Sequence, residues 1–287
     1  MRNPVAAVIT RWTLAVLFAG SVAGTAQPPG AGPVISGVFP VFSPTPIIQP
    51  GSWVSIYGTG LACGVYFWSG NFPTILGGTS VSNNGKAAYL SLVSPDQINL
   101  QAPDDTTTGL VSVIVDMNCG QPTFLYGEAR STVTLAAYGP SFSLFGDGDA
   151  RHVAAEIPTP NGTGAYGGGS YDLAGPLGMS ANPVQIAGSL ITRPVKIGEI
   201  LILYGVGFGP TTPSIPARQL FSGAAPTNSP VMITIGGALA DVLFAGLTEA
   251  GLYQFNVVVP NVAGGNQPVI AMVNGVRTPL GPLVAVQ

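Results

Sequence analysis

One histidine stands among acidic residues in the stretch FGDGDARHVAAE. His152 is the only histidine of the 287-residue chain, and Asp147, Asp149 and Glu156 lie close to it in sequence. A hydrolase of the triad type needs a nucleophile, a basic imidazole and an acid that orients the imidazole. The sequence contains no Gly-x-Ser-x-Gly elbow to supply a serine nucleophile. We therefore favour a hydrogen-bonded loop histidine, and a secreted hydrolase is the weaker alternative.

The same stretch offers oxygen ligands for calcium. Asp147-Gly-Asp149 with Glu156 lacks the third Asp or Asn and the glycine that an EF-hand loop requires. Asp-Gly-Asp is also typical of an ordinary tight turn. We predict a turn here, and the sequence indicates no metal site and no cofactor.

An aromatic segment, GVYFWSGNFP at residues 64–73, has the strongest binding character in the chain. Aromatic faces on a rigid sandwich loop can stack on sugar rings or fill a pocket of a partner. Tyr66, Trp68 and Phe72 are the candidate ligand-stacking residues. If the segment is extended, Tyr66 and Trp68 share one side. The alternative is that some of these rings point inward and cap the core.

The chain has two cysteines, Cys63 and Cys119. An even pair in an exported protein favours a disulfide. Two buried free thiols are the alternative, and two cysteines alone are too few ligands for a metal.

A polar signature occurs twice, in SPDQINLQAP and in EAGLYQFNVVVP. Its members are Gln97 and Asn99 in the first copy and Gln254 and Asn256 in the second. Amide side chains at the ends of a sandwich satisfy loose backbone groups. We favour that structural role, with ligand binding as the alternative.

The signature belongs to a longer repeat of strand-like segments. PGSWVSIYGTGLA corresponds to IGEILILYGVGFG, and TSVSNNGKAAYLSLVS corresponds to VMITIGGALADVLFAG. Asn-Gly in the first copy and Gly-Gly in the second predict tight hairpins between extended runs. Alternating apolar residues, Gly/Pro turns and the lack of helical periodicity predict an all-β protein built from two copies of one unit.

The composition excludes several classes of partner. Charged residues make up 7% of the chain, against roughly 25% in an average soluble protein. Nine Lys and Arg residues, scattered along the chain, give no basic surface for nucleic acid. A surface with so little charge repulsion makes self-association a reasonable expectation.

The N-terminus has the pattern of an export signal. Arg2 and Arg11 precede the apolar run Trp12–Ala19, and small residues follow up to Ala26. We predict cleavage after Ala26 and a secreted or cell-surface protein, with an anchoring helix as the alternative. No later segment is long and apolar enough to span a membrane, so the mature chain is predicted not to be transmembrane.

Residues 34–62 resemble the opening strands of immunoglobulin-like IPT/TIG domains, with the sequence VISGVFPVFSPTPIIQPGSWVSIYGTGLA. Three further segments resemble the uncharacterised C-terminal domain family of Solibacter-type acidobacterial proteins: LGGTSVSNNGKAAYLSLVSPDQINLQAP, ILILYGVGFGPTTP and ITIGGALADVLFAGLTEAGLYQFNVVVP. The resemblance runs from about Pro33 to Gln287. It implies a secreted or cell-surface module with an immunoglobulin-like fold, and it supplies no catalytic residues.

We therefore predict two tandem immunoglobulin-like β-sandwiches after a signal peptide at residues 1–26. The first occupies residues 33–137. The second occupies residues 138–287, with a Gly-rich connection at 138–183 and its core at 184–287. The predicted function is non-enzymatic binding, adhesion or structural support outside the cell, with an extracellular glycan or a surface protein as partner. A self-assembling surface component is the main alternative.

Overall fold

A computed structural model describes residues 32–120, 126–145, 152–158, 171–178 and 192–287. Every regular element in these ranges is a β-strand, which confirms the predicted all-β class. The described residues form two compact units. One contains the residues up to Gly139 together with Ile215–Leu220, and the other contains those of Pro140–Ser214 and Phe221–Gln287. The predicted signal peptide and the Asp147-Gly-Asp149 turn lie outside the described ranges.

The first unit consists of two sheets. Its strands are β1 (Val34–Pro40), β2 (Ile47–Ile48), β3 (Trp53–Thr59), β4 (Tyr66–Phe67), β5 (Ile75–Leu76), β6 (Thr79–Asn83), β7 (Lys86–Ala87), β8 (Tyr89–Val93), β9 (Gln97–Gln101), β10 (Gly109–Asn118) and β11 (Tyr126–Leu135). One sheet has the order β1-β3-β9-β8-β4. The other has the order β2-β11-β10-β6-β5, with β7 paired to β6.

These orders match the immunoglobulin pattern, in which strands A-B-E-D form one sheet and C-F-G the other. Strands β1, β3, β9 and β8 take the places of A, B, E and D, and β6, β10 and β11 take those of C, F and G. The short strand β2 runs parallel to β11 at the edge of the second sheet. The predicted immunoglobulin-like sandwich is thus confirmed for this unit.

Alternation along the strands builds the core between the two sheets. In β10, Val111, Val113 and Val115 point inward, whereas Ser112 and Asp116 are exposed. Burying alternate apolar side chains of both sheets supplies most of the favourable free energy of such a sandwich. The same alternation brings the outward side chains of β10 to one solvent-facing surface.

The second unit repeats the plan with additional strands. These are β12 (Ser141–Phe142), β13 (Ala155–Pro158), β14 (Tyr171–Ala174), β15 (Thr192–Arg193), β16 (Ile200–Val206), β17 (Ser222–Pro226), β18 (Val231–Ile235), β19 (Ala238–Leu239), β20 (Asp241–Glu249), β21 (Leu252–Val258), β22 (Gly265–Val273), β23 (Val276–Arg277) and β24 (Leu283–Val286). One sheet has the order β15-β14-β13-β16-β21-β20-β17, with β12 paired to β16. The other has the order β19-β18-β22-β23, with β24 paired to β22.

Equivalent strands of the two units carry the repeated sequences. Strands β3 and β9 pair in the first unit as β16 and β21 do in the second. Both predicted hairpins are confirmed: Asn84 and Gly85 turn between β6 and β7, and Gly236 and Gly237 turn between β18 and β19. All four residues have positive φ, as a two-residue turn of this kind requires.

Three phenylalanines fill the core of the second unit. The rings of Phe208 and Phe255 lie 4.4 Å apart, and Phe142 contacts both. Across the described ranges of the whole chain, no helix is both long and apolar enough to cross a membrane.

Candidate functional site

The disulfide predicted from sequence is present and joins Cys63 to Cys119, whose Cα atoms are 5.6 Å apart. Cys63 lies directly before the aromatic segment, and Cys119 directly follows β10. The bridge therefore ties the start of the aromatic segment to the end of a core strand, and it limits how far this segment can move from the sandwich.

A shallow groove of about 890 Å³ opens beside the disulfide on the first unit. It lies at the ends of β4, β5, β6, β10 and β11. The side chains that give it its chemistry are Tyr66, Ile75, Asp116, Asn118, Tyr126 and Glu128. We call it the tyrosine groove.

Two tyrosines and an isoleucine supply apolar surface to the tyrosine groove. Tyr66 is 43% exposed, Tyr126 is 64% exposed and Ile75 is 66% exposed. Exposed aromatic rings on a braced edge of a sandwich are available to stack on a ligand.

Glycines allow Tyr66 to occupy its place. Gly77 and Gly78 form the turn between β5 and β6, and both have positive φ. A Cβ on Gly77 would overlap the Tyr66 ring, and a Cβ on Gly78 would overlap the carbonyl of Asn118. Only glycine satisfies both the turn conformation and the close approach of these neighbours.

A row of polar side chains crosses three strands in the tyrosine groove. Asp116 of β10 lies directly opposite Ser80 of β6 on one side and Glu128 of β11 on the other. Directly paired residues point to the same face of a sheet, with Cβ atoms about 4.5–5.5 Å apart. Arg130 donates from Nε to Glu128 Oε1 over 2.5 Å.

The aromatic segment divides into an exposed and a packed part. Trp68 packs edge-on against Phe72 and Trp53, with ring centroids 4.8 and 5.7 Å away. Phe72 is only 3% exposed and stacks on Trp53. Of the three candidate stacking residues, Tyr66 lines the tyrosine groove, whereas Trp68 and Phe72 belong to this cluster.

The condition for Tyr66 and Trp68 to share one side was an extended segment, and the strand here covers only Tyr66–Phe67. Sequence reasoning also missed Tyr126, Asp116 and Glu128. The alternation of β10 and β11 could have placed them on the outward face, but their alignment depends on the pairing register.

The repeated amides lie in paired strands: Gln97 begins β9, and Asn99, Gln254 and Asn256 lie inside β9 and β21. Gln97 Nε2 donates to Asn99 Oδ1 at 3.0 Å, and Gln254 Nε2 donates to Asn256 Oδ1 at 2.8 Å. Ser55 Oγ adds a bond of 2.8 Å to Asn99 Oδ1. These bonds join side chains within a sheet, and whether the amides also satisfy backbone groups, as predicted from the sequence, stays a prediction.

The second unit buries a carboxyl group. Glu156 is 3% exposed, and Tyr204 donates from its hydroxyl to Glu156 Oε2 at 3.2 Å. Burial raises the pKa of Glu156 to about 7, against a smaller lowering by the Tyr204 hydroxyl. The pKa of Tyr204 is also raised, first by burial and then by the charge of Glu156.

His152 is buried in the second unit and makes no bond with Glu156. Its Nε2 lies 3.1 Å from Asn266 Oδ1, and its Nδ1 has no hydrogen-bond partner among the residues that the structure describes. Within the described ranges, no cluster of three or more His, Cys, Asp or Glu side chains could hold a metal ion. The arrangement around His152 therefore gives no support to a catalytic dyad with Glu156.

No family model and no curated protein matches the chain. Solved structures do match it, among them the SGBP-B protein of a Bacteroides ovatus mixed-linkage glucan utilization locus, in complex with a heptasaccharide, at 10% identity and a TM-score of 0.32. The surface glycan-binding protein PbSGBP-B from Prevotella bryantii matches at 11% identity and 0.25. The N-terminal part of the bacterial S-layer protein SbsC matches at 10% identity and 0.24.

These three matches cover most of this chain and less than half of each of the three structures. They include 84% of this chain and 42% of the B. ovatus protein, 89% and 42% for the P. bryantii protein, and 90% and 45% for SbsC. Similarity at these TM-scores carries no argument about ligand or activity, since one fold hosts many functions. The resemblance to the acidobacterial family stays a prediction from the sequence.

Proposed function

We propose that this chain is an exported, non-enzymatic cell-surface module that binds an extracellular glycan in the tyrosine groove. The observation that carries the proposal is the pair of exposed tyrosines, Tyr66 and Tyr126, beside a row of hydrogen-bonding side chains. The disulfide and the paired strands hold this surface in a fixed shape. A preformed surface loses less conformational entropy when it binds.

The chemistry of the tyrosine groove suits a sugar. A sugar ring has an apolar C–H face that packs on an aromatic ring, and hydroxyls at its rim that need hydrogen-bond partners. Tyr66 and Tyr126 offer the aromatic faces. Asp116, Glu128 and Asn118 offer acceptors, and the Asn118 amide also offers donors.

Two carboxylates beside each other could also cleave a glycosidic bond, so the distinction from a glycosidase matters. Such an enzyme needs one carboxyl that stays protonated until it donates its proton, and burial usually provides this. Asp116 and Glu128 are exposed, and Glu128 is paired with Arg130. This environment favours binding over hydrolysis.

The proposal is tested with the secreted full chain and three neutral soluble polymers: hydroxyethyl cellulose, starch and galactomannan. Affinity electrophoresis should show retardation by at least one polymer, and Tyr66→Ala and Tyr126→Ala should each weaken binding about tenfold, or about 1.4 kcal/mol. Tyr57→Ala is the matched control, because Tyr57 is 39% exposed but does not line the groove.

Two outcomes would contradict the proposal. Unchanged mobility of the wild-type chain with all three polymers and with their carboxymethyl derivatives removes glycan binding as its function. Release of reducing ends from a polymer that the chain binds makes it an enzyme. Cell fractionation should find the chain outside the cytoplasmic membrane, and a chain confined to the cytoplasm contradicts the proposed export.

A further inference from the structure

The polar row in the tyrosine groove has an unusual charge arrangement. Asp116 and Glu128 are direct cross-strand partners, and like charges in this position destabilise a sheet. Arg130 forms an ion pair with Glu128, and no described residue forms one with Asp116. With the positive charge of Arg130 counted, the two carboxylates of the row leave one net negative charge.

From this row, and building on the proposed function, we propose that Asp116 and Glu128 restrict the tyrosine groove to uncharged, hydroxyl-rich polysaccharides and exclude anionic ones. An ionised carboxylate accepts hydrogen bonds and cannot donate them. Its partner in a ligand must therefore be a donor, and the hydroxyls of a neutral sugar are donors. The carboxylate of a uronate and a sulfate group each offer acceptors only, and both carry the same charge as Asp116 and Glu128.

The arrangement of the row fits a ligand that lies across the strands. Neighbouring strands are about 4.7–4.9 Å apart, so Ser80, Asp116 and Glu128 present polar groups at regular intervals across three strands. Arg130 holds the Glu128 carboxylate from one side. A bound neutral sugar that donates to both carboxylates would offset part of the repulsion between them.

A matched pair of polymers tests the inference. Hydroxyethyl cellulose, starch and galactomannan are each compared with the carboxymethyl derivative of the same backbone. For the backbone that binds, wild type should bind the neutral form about tenfold or more tightly than the carboxymethyl form. The preference should shrink in 0.5 M salt, because screening weakens repulsion between exposed charges.

Asp116→Asn with Glu128→Gln removes both charges and keeps the shapes of the side chains. This double variant should bind the neutral polymer about fivefold or more weakly, since hydrogen bonds to charged groups are stronger than neutral ones. It should bind the carboxymethyl form about as well as the neutral one, because the repulsion between like charges is gone. Asp241→Asn is the control, because Asp241 is an exposed aspartate of the second unit. Circular dichroism and thermal unfolding check that each variant is folded.

The failures of the two proposals differ. If wild type binds neutral and carboxymethyl polymers equally, or if the double variant keeps the wild-type preference, the carboxylates do not set specificity while glycan binding stands. If no polymer binds wild type, the proposed function fails and this inference fails with it. A tighter complex with the carboxymethyl form also overturns the inference.

Discussion

At the residue scale, a glycine decides where the Tyr66 ring can lie. Gly77 has a φ of +54° and sits against that ring. We expect Gly77→Ala to strain the turn by about 1–2 kcal/mol and to push Tyr66 out of the tyrosine groove. Polymer binding should then fall as far as it does in Tyr66→Ala. Unfolding in urea and affinity electrophoresis measure the two effects.

Gly85→Ala provides the control for this substitution. Gly85 has a φ of +74° in the neighbouring hairpin, but a Cβ there meets no other atom within 4 Å. The Gly85→Ala variant should therefore lose a similar amount of unfolding free energy and bind the polymer as tightly as wild type. Equal binding by the Gly77 and Gly85 variants would show that the position of Tyr66 is not what the ligand requires.

Glu156 gives the second unit a pH-dependent stability. Its pKa is about 7 in the folded chain and 4.5 as the ordinary value, so it binds its proton more strongly when folded. The contribution of Glu156 to the free energy of unfolding is fully present below pH 4.5. It falls as pH rises from 4.5 to about 7, and above that it no longer changes. The loss is about 3 kcal/mol at most.

Glu156→Gln should remove this dependence, because glutamine never ionises. We expect the variant to be more stable than wild type at pH 8 and nearly equal at pH 4, as measured by urea unfolding at a series of pH values. Glu199→Gln is the contrasting control. Burial raises the pKa of Glu199, but the bonds from Arg193 and from the Lys196 N–H outweigh it and lower that pKa, so this carboxylate stabilises the fold at neutral pH. A wild-type curve that is flat between pH 4.5 and 7 would contradict the role of Glu156.

At the scale of strands, the sequence predicts the hairpin turns well. It predicts less well which side chains meet across paired strands. Asn84-Gly85 and the pair Gly236-Gly237 specify hairpins because two adjacent positive φ angles suit few residues. The site is different. Asp116 and Tyr126 come together only through the register of β10 with β11, and a shift of one residue would reverse the face of every side chain in a strand.

The repeated Gln and Asn also show what a sequence leaves open. Their spacing of two places both amides on one face of a strand, which is local information. The contact with Ser55 is not local, since it joins β3 to β9 across the sheet. A repeat therefore reveals a shared structural role without revealing the partners that fulfil it.

Asn99 tests whether that role is structural. It is completely buried, and its Oδ1 accepts from Ser55 and Gln97. Asn99→Ala removes this acceptor, so we expect a loss of about 1–3 kcal/mol in the free energy of unfolding. Polymer binding by the folded variant should be unchanged, because Asn99 does not line the tyrosine groove.

The control for Asn99 is Gln97→Ala, in which a half-buried side chain is removed and Asn99 keeps its bond from Ser55. Its loss of stability should be smaller. If Asn99→Ala leaves the unfolding free energy unchanged but weakens binding, the amide pair serves a ligand, and the structural role is wrong.

At the scale of the molecule, composition and architecture agree. A chain with 7% charged residues and frequent Gly and Pro can still fold when its apolar residues alternate along short strands. Each unit buries its own core, the first around residues such as Ile56 and Val115 and the second around its phenylalanines. Because the surface carries little charge, its faces differ mainly in local features such as the tyrosine groove and the disulfide.

The disulfide lies wholly within the first unit and closes a separation of 56 residues. By the loop-entropy relation, a bridge of this length stabilises the folded state by about 4 kcal/mol, mainly by restricting the unfolded chain. Cys63→Ser with Cys119→Ser should lower the free energy of unfolding by up to that amount. Cys63 is exposed and Cys119 is half-buried, so the serines add no fully buried hydroxyl groups.

Hydrogen exchange resolved by peptide locates the effect. Exchange should accelerate in β3, β6 and β10, which lie in or beside the closed loop, and should stay unchanged in β16, β21 and β22 of the second unit. The same variant should also bind glycan more weakly, because Cys119 lines the tyrosine groove and Cys63 precedes Tyr66. Full stability and full binding after both substitutions would show that the sandwich holds the aromatic segment in place without the bridge.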